Sequence, residues 1–547
     1  MERDVDEGRR TVLAAAVAAA LPTGVARPWD AGSLPGATPK AGLSPGGVSA
    51  GVFPQGVASG GPTPSGAVCW TRVAPEAHTA GTPLRLTLAT DPSLTDVVDA
   101  WRVPADRLLA RDYTAKVDLE GELDADRPYY YQFTYDGATS PVGRCRTLPA
   151  PGASPDSVTF AVANCQDYRN GYYGAYGHIA EADVDFLLHL GDFIYEYGGE
   201  SDYDGRSLSL PSGASVAMGL EDFRYLHRTY RTDRLLRAAL AAHTLVPIWD
   251  DHEIVNDRYY DYESGRPYAG EGDHPRNHDA EFMTRLFADG IRAWWEYTPT
   301  RVPYDPDADS ILSRITLRRR LRFGDLVDLL VTDERLFRTA PADGDHVAIG
   351  SAGEEITETM LGDRQREWFV DRLADGDATW TAWANEVLAL PFTFPGGADL
   401  GDGATWDDYP AERDRLLRAA AAGDGSLVAL TGDMHTALAG YIEGGGTRYG
   451  VEFMAPAVTS PNPRELLDLD DDPESRAVAG EYVVEHNPHV EFFDGHHWGY
   501  ATVEFTPERC RYSAYAVDKS EDSADASRDL LARFATTPGE PDLSRQV

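Results

Sequence analysis

Short runs of alternating or β-branched residues follow one another from about Gly51 to Leu148, separated by turn residues. The clearest runs are SGAVCWTRV, PLRLTLAT, YTAKVDLEG, PYYYQFTYDG and GRCRTL. Five or more short strands without a convincing helix predict a small antiparallel β-sandwich. We place this domain at residues 49–150, because the turn-rich stretch PAPGASPDS then interrupts the pattern.

Beyond residue 155 the pattern changes to short apolar runs that alternate with amphipathic helices. Apolar residues recur at helical spacing in FRYLHRTYRTDRLLRAALAAH, DAEFMTRLFADGIRAWWEYT, GDRQREWFVDRLADG and ERDRLLRAAAAG. Alternation of strands and helices is typical of an α/β domain. The chain is also too long for one ordinary core, so the sequence predicts a second, α/β domain over residues 155–547.

Four apolar runs of the second domain end directly in polar residues that can bind metals. They are VTFAVANCQD, DFLLHLGDFIYE, TLVPIWDDHEIVND and SLVALTGDMHTA. An aspartate after a single strand usually caps a helix or stabilises a turn. Because loops at the carboxyl ends of strands form the binding crevice of open α/β sheets, four such ends can converge. Carboxylates, a histidine, an amide, a phenol and a thiol together indicate a metal centre.

The ligand types in these segments indicate two unlike metals. The thiol of Cys165 and the phenol of Tyr195 suit a transition metal such as iron. The oxygens of Asp192, Asn256 and Asp433 suit calcium or magnesium. A bound cation lowers the pKa of a thiol, so Cys165 would bind as the thiolate. The usual alternative for an isolated buried cysteine is a small hydrophobic core residue.

The strings GDFIY, DDHEIVND and GDMH resemble an altered calcineurin-like metallophosphatase signature. Combined with NCQD, they are most similar to the PhoD-like alkaline phosphatases. Other family-like stretches are FPQGVASGGPTPSGAVCWTR, TDERLFR, LGDRQREWF and EFMAPAVTSP. The resemblance implies an N-terminal β-sandwich followed by a four-layer α/β/β/α metallophosphatase domain. It also implies a ferric ion and calcium as cofactors.

Carried over by position, the resemblance assigns a role to each residue of these motifs. The implied iron ligands are Cys165, Asp192, Tyr195 and His435. Asp192 would bridge the two metals. The implied calcium ligands are Asn256, Asp433 and Asp251. His252 would lie beside the substrate as an orienting group or proton donor. The wider superfamily has a second histidine where this sequence has Asp433, and a carboxylate there suits calcium.

The resemblance implies an exported alkaline phosphatase that hydrolyses small phosphate monoesters and also diesters. Two metals about 3.5–4 Å apart can activate water and neutralise phosphoryl oxygens, so we expect attack by a metal-bound hydroxide or oxide. Arg258 or Arg335 would hold the phosphate, unless these arginines are structural ion-pair partners. The alternatives are a phosphodiesterase or phospholipase-like hydrolase at the same centre, and a calcium-stabilised surface-binding protein without enzymatic activity.

The first residues have the layout of an export signal. In residues 1–26, the pair Arg9 and Arg10 precedes an alanine-rich apolar stretch and a proline break. This resembles a twin-arginine signal and predicts export of the folded protein by the twin-arginine machinery; the alternative is a short amphipathic helix. Residues 27–48, rich in Pro, Gly, Ser and Ala, predict a flexible linker. No internal stretch approaches the ~20 apolar residues of a membrane span, so we expect no integral membrane association.

The chain is strongly acidic, with 89 acidic against 49 basic residues, a net charge of -40 and only three lysines, Lys40, Lys116 and Lys519. Such a field repels nucleic acid, so no stable nucleic-acid partner is expected. Extreme acidity with few lysines resembles proteins from high-salt organisms, where salt screens the repulsion. An anionic substrate then requires local positive charge, which bound metals supply.

Two further features leave open questions. Cys69 and Cys145 could form a disulfide within the first domain of an exported protein. The glycine- and acid-rich stretches at 198–220 and 395–410 are candidate caps over the site.

Overall fold

The computed structural model describes residues 51–340, 348–349, 355–356, 358–393 and 405–547. The predicted export signal and linker lie outside these ranges, as do residues 395–404 of the second candidate cap. Among the described residues, no helix has both the length and the apolar character that crossing a membrane requires.

The strands are numbered in chain order. The first part of the chain contains β1 (Val57–Thr63), β2 (Gly66–Arg72), β3 (Leu84–Ala89), β4 (Val97–Val103), β5 (Thr114–Asp118), β6 (Pro128–Tyr135), β7 (Ala138–Thr139) and β8 (Gly143–Arg146). The middle part contains β9 (Val158–Ala163), β10 (Phe186–Leu190), β11 (Thr244–Ile248), β12 (Tyr259–Asp261), β13 (Arg266–Tyr268), β14 (Arg319–Phe323), β15 (Val327–Val331), β16 (Ala348–Ile349), β17 (Glu355–Ile356) and β18 (Trp380–Ala384). The last part contains β19 (Ser426–Thr431), β20 (Ala437–Gly444), β21 (Thr447–Met454), β22 (Val490–Asp494), β23 (Gly499–Phe505), β24 (Cys510–Val517), β25 (Arg528–Thr537) and β26 (Glu540–Arg545).

The helices include the four amphipathic segments expected from the sequence. They are α1 (Ala105–Leu109), α2 (Gly174–Glu181), α3 (Leu220–Tyr230), α4 (Arg234–Ala242), α5 (Ala280–Tyr297), α6 (Ile311–Arg314), α7 (Gly362–Ala374), α8 (Pro410–Ala420), α9 (Pro463–Leu467) and α10 (Pro473–His486). The longest predicted helical segment is split into α3 and α4. The break occurs because Asp233 caps α4, accepting hydrogen bonds from the backbone N–H groups of Leu235 and Leu236.

Two large sheets form the centre of the molecule. The first has ten strands in the order β26-β25-β24-β23-β9-β10-β11-β1-β2-β5, and the second has seven in the order β14-β15-β18-β19-β21-β20-β22. In the first sheet β9, β10, β11 and β1 run parallel, and in the second β15, β18, β19 and β21 do. Several of these strands, such as β10 (FLLHL) and β15 (VDLLV), have the near-continuous apolar sequences that burial on both faces requires.

The two sheets pack face to face, with helices outside each of them. Phe323 of β14 meets Phe160 of β9 and Phe186 of β10, with ring centroids 5.3 and 5.2 Å apart. On the outer side of the second sheet, Phe369 of α7 packs on Trp383 of β18. Helices α2 to α5 share the core of the ten-stranded sheet. The predicted α/β class with a four-layer arrangement is therefore confirmed.

The N-terminal sandwich shares one of its sheets with the rest of the molecule. A smaller sheet, in the order β4-β3-β6-β7 with β8 paired to β6, packs against β2 and β5. Strand β1 pairs in parallel with β11, matching Ser59 to Thr244. Residues on the two sides of the predicted boundary near residue 150 thus contribute strands to the same sheet. Cys69 and Cys145 lie buried in the sandwich core as free thiols.

Candidate metal centre

The predicted ligand loops meet at the carboxyl ends of parallel strands from both sheets. They follow β9, β10 and β11 of the first sheet and β19 of the second. Hydrogen bonds join the loops: the N–H of Cys165 donates to the carbonyl of Gly191 at 3.1 Å, and the N–H of Gln166 to that of Asp192 at 3.0 Å. The convergence expected from the four strand ends is present in the structure.

Four of the predicted ligands have left-handed backbone conformations. The φ angles of Cys165, Asp192, Asp433 and His435 are 49°, 54°, 69° and 56°. Residues other than glycine rarely adopt the left-handed backbone conformation. Each such residue costs of order 1–3 kcal/mol, which the surrounding structure offsets, and such residues cluster at functional sites. Because of these turns, the four side chains lie together at the strand ends, which they would not do if the strands continued in a regular extended conformation.

One group of side chains, here called the thiol cluster, consists of Cys165, Tyr195, His435 and Asp192. One ligand atom each of Cys165, Asp192 and His435 lies within 4.8 Å of the others. The phenol of Tyr195 donates to Asp192 Oδ2 at 2.7 Å and lies 3.3 Å from His435 Nε2. The structure therefore brings together all four residues assigned to iron.

A second group, the carboxylate cluster, consists of Asp250, Asp251 and Asp433. Their carboxylate oxygens also lie within 4.8 Å of one another. Arg335 holds them together: Nε donates to Asp250, Nη2 lies 2.7 Å from Asp433, and Nη1 lies 3.7 Å from Asp251. Asp250 was not among the expected ligands, although it stands beside Asp251 in the DDHE string.

His252 lies between the two clusters. A ring nitrogen of His252 lies within 4.8 Å of ligand atoms of Asp192 and Asp251, and its ring centroid is 4.1 Å from that of Tyr195. Nδ1 is 2.7 Å from Glu196 Oε2. Burial alone would lower the pKa of His252, but Glu196, Asp192 and Asp251 raise it well above its usual value. The structure thus places His252 beside both clusters, and its role towards a substrate stays a prediction.

Negative charge exceeds positive charge at the centre, where Arg335 is surrounded by several carboxylates. Burial, reinforced by neighbouring carboxylates, raises the pKa of Asp250 to about 8 and that of Asp433 to about 6, although Arg335 lowers both. Burial likewise raises the pKa of Asp192 and of the Cys165 thiol. Asp192 Oδ1 and Asp250 Oδ2 are buried without a hydrogen-bond partner. A bound cation would satisfy these oxygens and offset the repulsion, so the residues present fit metal binding.

Asn256 and the two arginines differ in how they are placed. The Nδ2 group of Asn256 donates to Asp257 and Asp273, which leaves its Oδ1 as the atom available to a metal. Arg335 lies within the carboxylate cluster. Arg258 lies behind it, fully buried, with Nη2 donating to the backbone carbonyl of Asp250 at 2.8 Å. Arg258 also stacks on Trp249. Contact of either arginine with a substrate stays a prediction.

Glu253 organises the loops that hold the ligands, and sequence reasoning missed it. Its carboxylate accepts hydrogen bonds from the backbone N–H groups of Asp192, Phe193 and Asp250 at 3.1, 2.7 and 2.7 Å. Next to it, a Cβ on Gly191 would lie 2.5 Å from the Asp250 side chain, so only glycine fits the turn. The signal available was the third acid of the DDHE string.

Ser460 is a second missed residue, in the loop after β21. Its hydroxyl donates to the phenol oxygen of Tyr195 at 2.6 Å and accepts the N–H of Asp167 at 3.1 Å. The adjacent Pro461 carbonyl contacts His435 Nδ1 at 2.6 Å, which leaves Nε2 of that histidine directed towards the cluster. Nothing in the string EFMAPAVTSP distinguishes this serine from its neighbours.

The first candidate cap begins directly beside His252. Tyr197 contacts the His252 ring, and the segment then folds back so that the N–H of Ala217 donates to the carbonyl of Glu196 at 2.8 Å. Whether residues 198–220 cover a substrate stays a prediction.

Residues 160–514 match the model of a family described as PhoD-like phosphatase, and residues 42–149 match the N-terminal domain of that family. This chain belongs to the PhoD-like phosphatase family. Alkaline phosphatase D of Bacillus subtilis (strain 168) is 31% identical over 472 residues, which cover 84% of this chain and 76% of that protein.

Solved structures agree with this assignment. A structure of PhoD superposes on this PhoD-like phosphatase with a TM-score of 0.76 at 29% identity, covering 91% of this chain and 93% of that one. A purple acid phosphatase from yellow lupin (Lupinus luteus) seeds has a TM-score of 0.50 at 11% identity, covering 88% and 73%, and shares the fold alone. The expected family and phosphatase activity are confirmed, which sets aside a surface-binding protein without enzymatic activity.

Proposed function

We propose that this PhoD-like phosphatase hydrolyses phosphate monoesters, and diesters as well, at a mixed iron–calcium centre. The observation that carries the proposal is the contact between a cluster of thiol, phenol and imidazole groups and a cluster of carboxylates, with Asp192 beside both. A thiol and a phenol suit iron, whereas carboxylate and amide oxygens suit calcium. When bound, such cations polarise phosphoryl oxygens and activate water.

The residues of the thiol cluster would hold iron, with Asp192 shared between the metals. Asp251, Asp433 and the Oδ1 atom of Asn256 would hold calcium, and Asp250 would add a further carboxylate. Arg335 would keep these carboxylates together as the metals exchange. Its guanidinium is only 1% exposed, which suits an internal counter-charge better than a direct contact with substrate.

His252 would supply a proton to the leaving oxygen. Its Nδ1 atom is engaged by Glu196, so Nε2 is the atom free to donate. Its side chain is 13% exposed, so solvent and substrate can reach it.

The test is a combined metal and activity assay on the purified protein. We expect iron and calcium in comparable amounts, a visible charge-transfer band from tyrosinate and thiolate to ferric iron, and p-nitrophenyl phosphate hydrolysis that is lost on chelation. A colourless active protein that holds only zinc would remove iron from the proposal. The same assay with bis(p-nitrophenyl) phosphate as the substrate decides whether the protein also hydrolyses diesters.

We also propose export through the twin-arginine route, supported by the order of charges and apolar residues in residues 1–26. Fusing residues 1–48 to a folded reporter should direct it out of the cell. Replacing both arginines, Arg9→Lys and Arg10→Lys, should abolish export without lowering reporter synthesis. Export of the double variant at the original level would contradict the proposal.

A further inference from the structure

Next to the loop that carries Asp192 lies a buried arginine that has no acidic partner among the described residues. Arg231 directly follows α3 and is only 1% exposed. Its guanidinium carbon lies 4.5 Å from the ring centroid of Phe193 and 5.0 Å from that of Trp70. Its Nε and Nη1 atoms have no hydrogen-bond partner. Two donor nitrogens and a positive charge thus lie beside aromatic rings.

Two histidines with unsatisfied ring nitrogens accompany this arginine. His227 lies one turn earlier on α3 and stacks on Tyr297. His189 of β10 lies 5.0 Å from the ring of Phe193. Both nitrogens of both rings lack a hydrogen-bond partner and are buried. Every imidazole tautomer carries at least one N–H, so each histidine adds a donor to the two of Arg231.

Charges around Arg231 do not balance. In the part of the chain that the structure describes, no carboxylate lies within salt-bridge distance of Arg231 or of Lys116, whose buried Nζ also lacks a hydrogen-bond partner. Carboxylates on neighbouring segments serve other arginines: Asp112 pairs with Arg72 and Arg228, Glu296 with Arg224 and Arg292, and Asp233 with Arg206.

The end of α3 compensates part of this charge. A helix carboxyl terminus carries roughly half a negative charge, and Arg231 lies there. The remainder has no source among the described side chains, in a chain whose net charge is -40. Leaving a charge uncompensated in the interior costs several kcal/mol, even after relaxation.

We propose that Arg231, His227 and His189 form a binding site for a small monovalent inorganic anion, chloride in the first instance. A buried water could satisfy the donors, but it could not neutralise the guanidinium. A larger oxyanion such as phosphate would require more polar contacts than Arg231, His227 and His189 offer. The site is distinct from the metal centre. It would stabilise the loop that carries Asp192, because Phe193 of that loop packs against Arg231.

Crystals grown in bromide test the location directly, because bromide replaces chloride and scatters anomalously. We expect an anomalous peak in hydrogen-bonding contact with Arg231. Anomalous peaks confined to the exposed surface, with ordinary water density beside Arg231, would overturn the proposal.

Thermal unfolding tests the site in solution. At equal sodium concentration and ionic strength, we expect a higher Tm in chloride than in gluconate, increasing with chloride concentration as ligand linkage requires. Sodium screens the acidic surface equally in both solutions, so the difference reports on the anion. Equal Tm values at all concentrations would contradict the proposal.

The variant Arg231→Met removes the charge and should abolish this chloride-dependent increase. The matched control is Arg206→Met, because Arg206 is equally buried but pairs with Asp233 at 2.6 Å. The control should retain the increase. If Arg231→Met folds and still responds to chloride, the site is not at Arg231; if it does not fold, the bromide crystals and the wild-type measurement decide.

Discussion

The thiol cluster and the carboxylate cluster lie in contact, but they balance charge in different ways. Burial raises the pKa of Cys165 and Tyr195 and lowers that of His435 to about 4, so all three groups are neutral at neutral pH. The carboxylate cluster instead contains an internal cation, Arg335. The thiol cluster must therefore release protons to bind a metal. In the carboxylate cluster, a metal must instead share the carboxylates with Arg335.

The largest effect should follow from removing the thiol. Cys165→Ala should lose bound iron and the charge-transfer band, with a fall in kcat/KM beyond the roughly 100-fold typical of outer partners of a metal site. Metal analysis, absorption spectra and p-nitrophenyl phosphate kinetics measure this. Cys510→Ala is the matched control, since Cys510 is also a buried free cysteine but lies in β24. An iron-loaded, active Cys165→Ala protein would show that the thiol cluster does not hold iron.

Removing the internal cation should make the carboxylate cluster depend on calcium. Arg335→Met leaves buried carboxylates unpaired, which typically costs about 3–5 kcal/mol. Tm should fall strongly in chelator and recover largely in calcium, a wider difference than in the wild type. Arg206→Met should lose stability without calcium rescue, because its partner Asp233 caps α4 and lies outside the carboxylate cluster. A calcium response no larger than that of the wild type would mean that Arg335 does not substitute for a metal.

Glu253→Gln should weaken both clusters together. Each Glu253 oxygen accepts backbone N–H groups, and an amide would place a donor against one of them. We expect a 10- to 100-fold loss of metal affinity, roughly the effect of other outer partners, measured by titration of the chelated protein. Glu412→Gln is the control, since Glu412 is a buried residue of α8 that accepts the backbone N–H of Met360. Loss of affinity for one metal alone would contradict a shared role.

Ser460→Ala should produce the smallest change, confined to the thiol cluster. Without the donated hydrogen bond, the phenolate oxygen becomes a stronger donor to the metal, and the charge-transfer band should move to longer wavelength. A hydrogen bond contributes about 0.5–1.5 kcal/mol, so kcat/KM should change by roughly tenfold at most. Ser513→Ala, a buried serine of β24 that accepts from Arg533, should leave the spectrum unchanged. An unchanged spectrum in Ser460→Ala would remove this serine from the cluster.

The strand ends were predictable because apolar runs followed at once by ligands are a local pattern. Cys165, Asp192, Asp251 and Asp433 could all be found in this way. The left-handed turns that direct them could not, since they are fixed by hydrogen bonds between loops far apart in sequence, such as those from Thr459 and Ser460 to the carbonyl of Cys165.

The residues that the sequence misplaced or missed depend on packing. Arg258 has the right charge for a phosphate, but its burial, its stacking on Trp249 and its hydrogen bond to the carbonyl of Asp250 come from packing that the sequence does not show. Ser460 reaches Tyr195 only because the loop after β21 of the second sheet meets the loops after β9 and β10 of the first. Contacts between the loops of two different sheets leave no recognisable pattern in the sequence of either loop.

Pairing of β1 with β11 has a consequence for dissecting this protein. Without residues 51–150, β11 would become an edge strand with a bare row of backbone N–H and C=O groups along an apolar sequence, TLVPI. Natural proteins avoid such edges because they recruit other chains and aggregate. A fragment starting near residue 155 should therefore precipitate even if its catalytic loops are intact. The N-terminal region protects the catalytic domain from aggregation because its strand β1 covers the edge of β11.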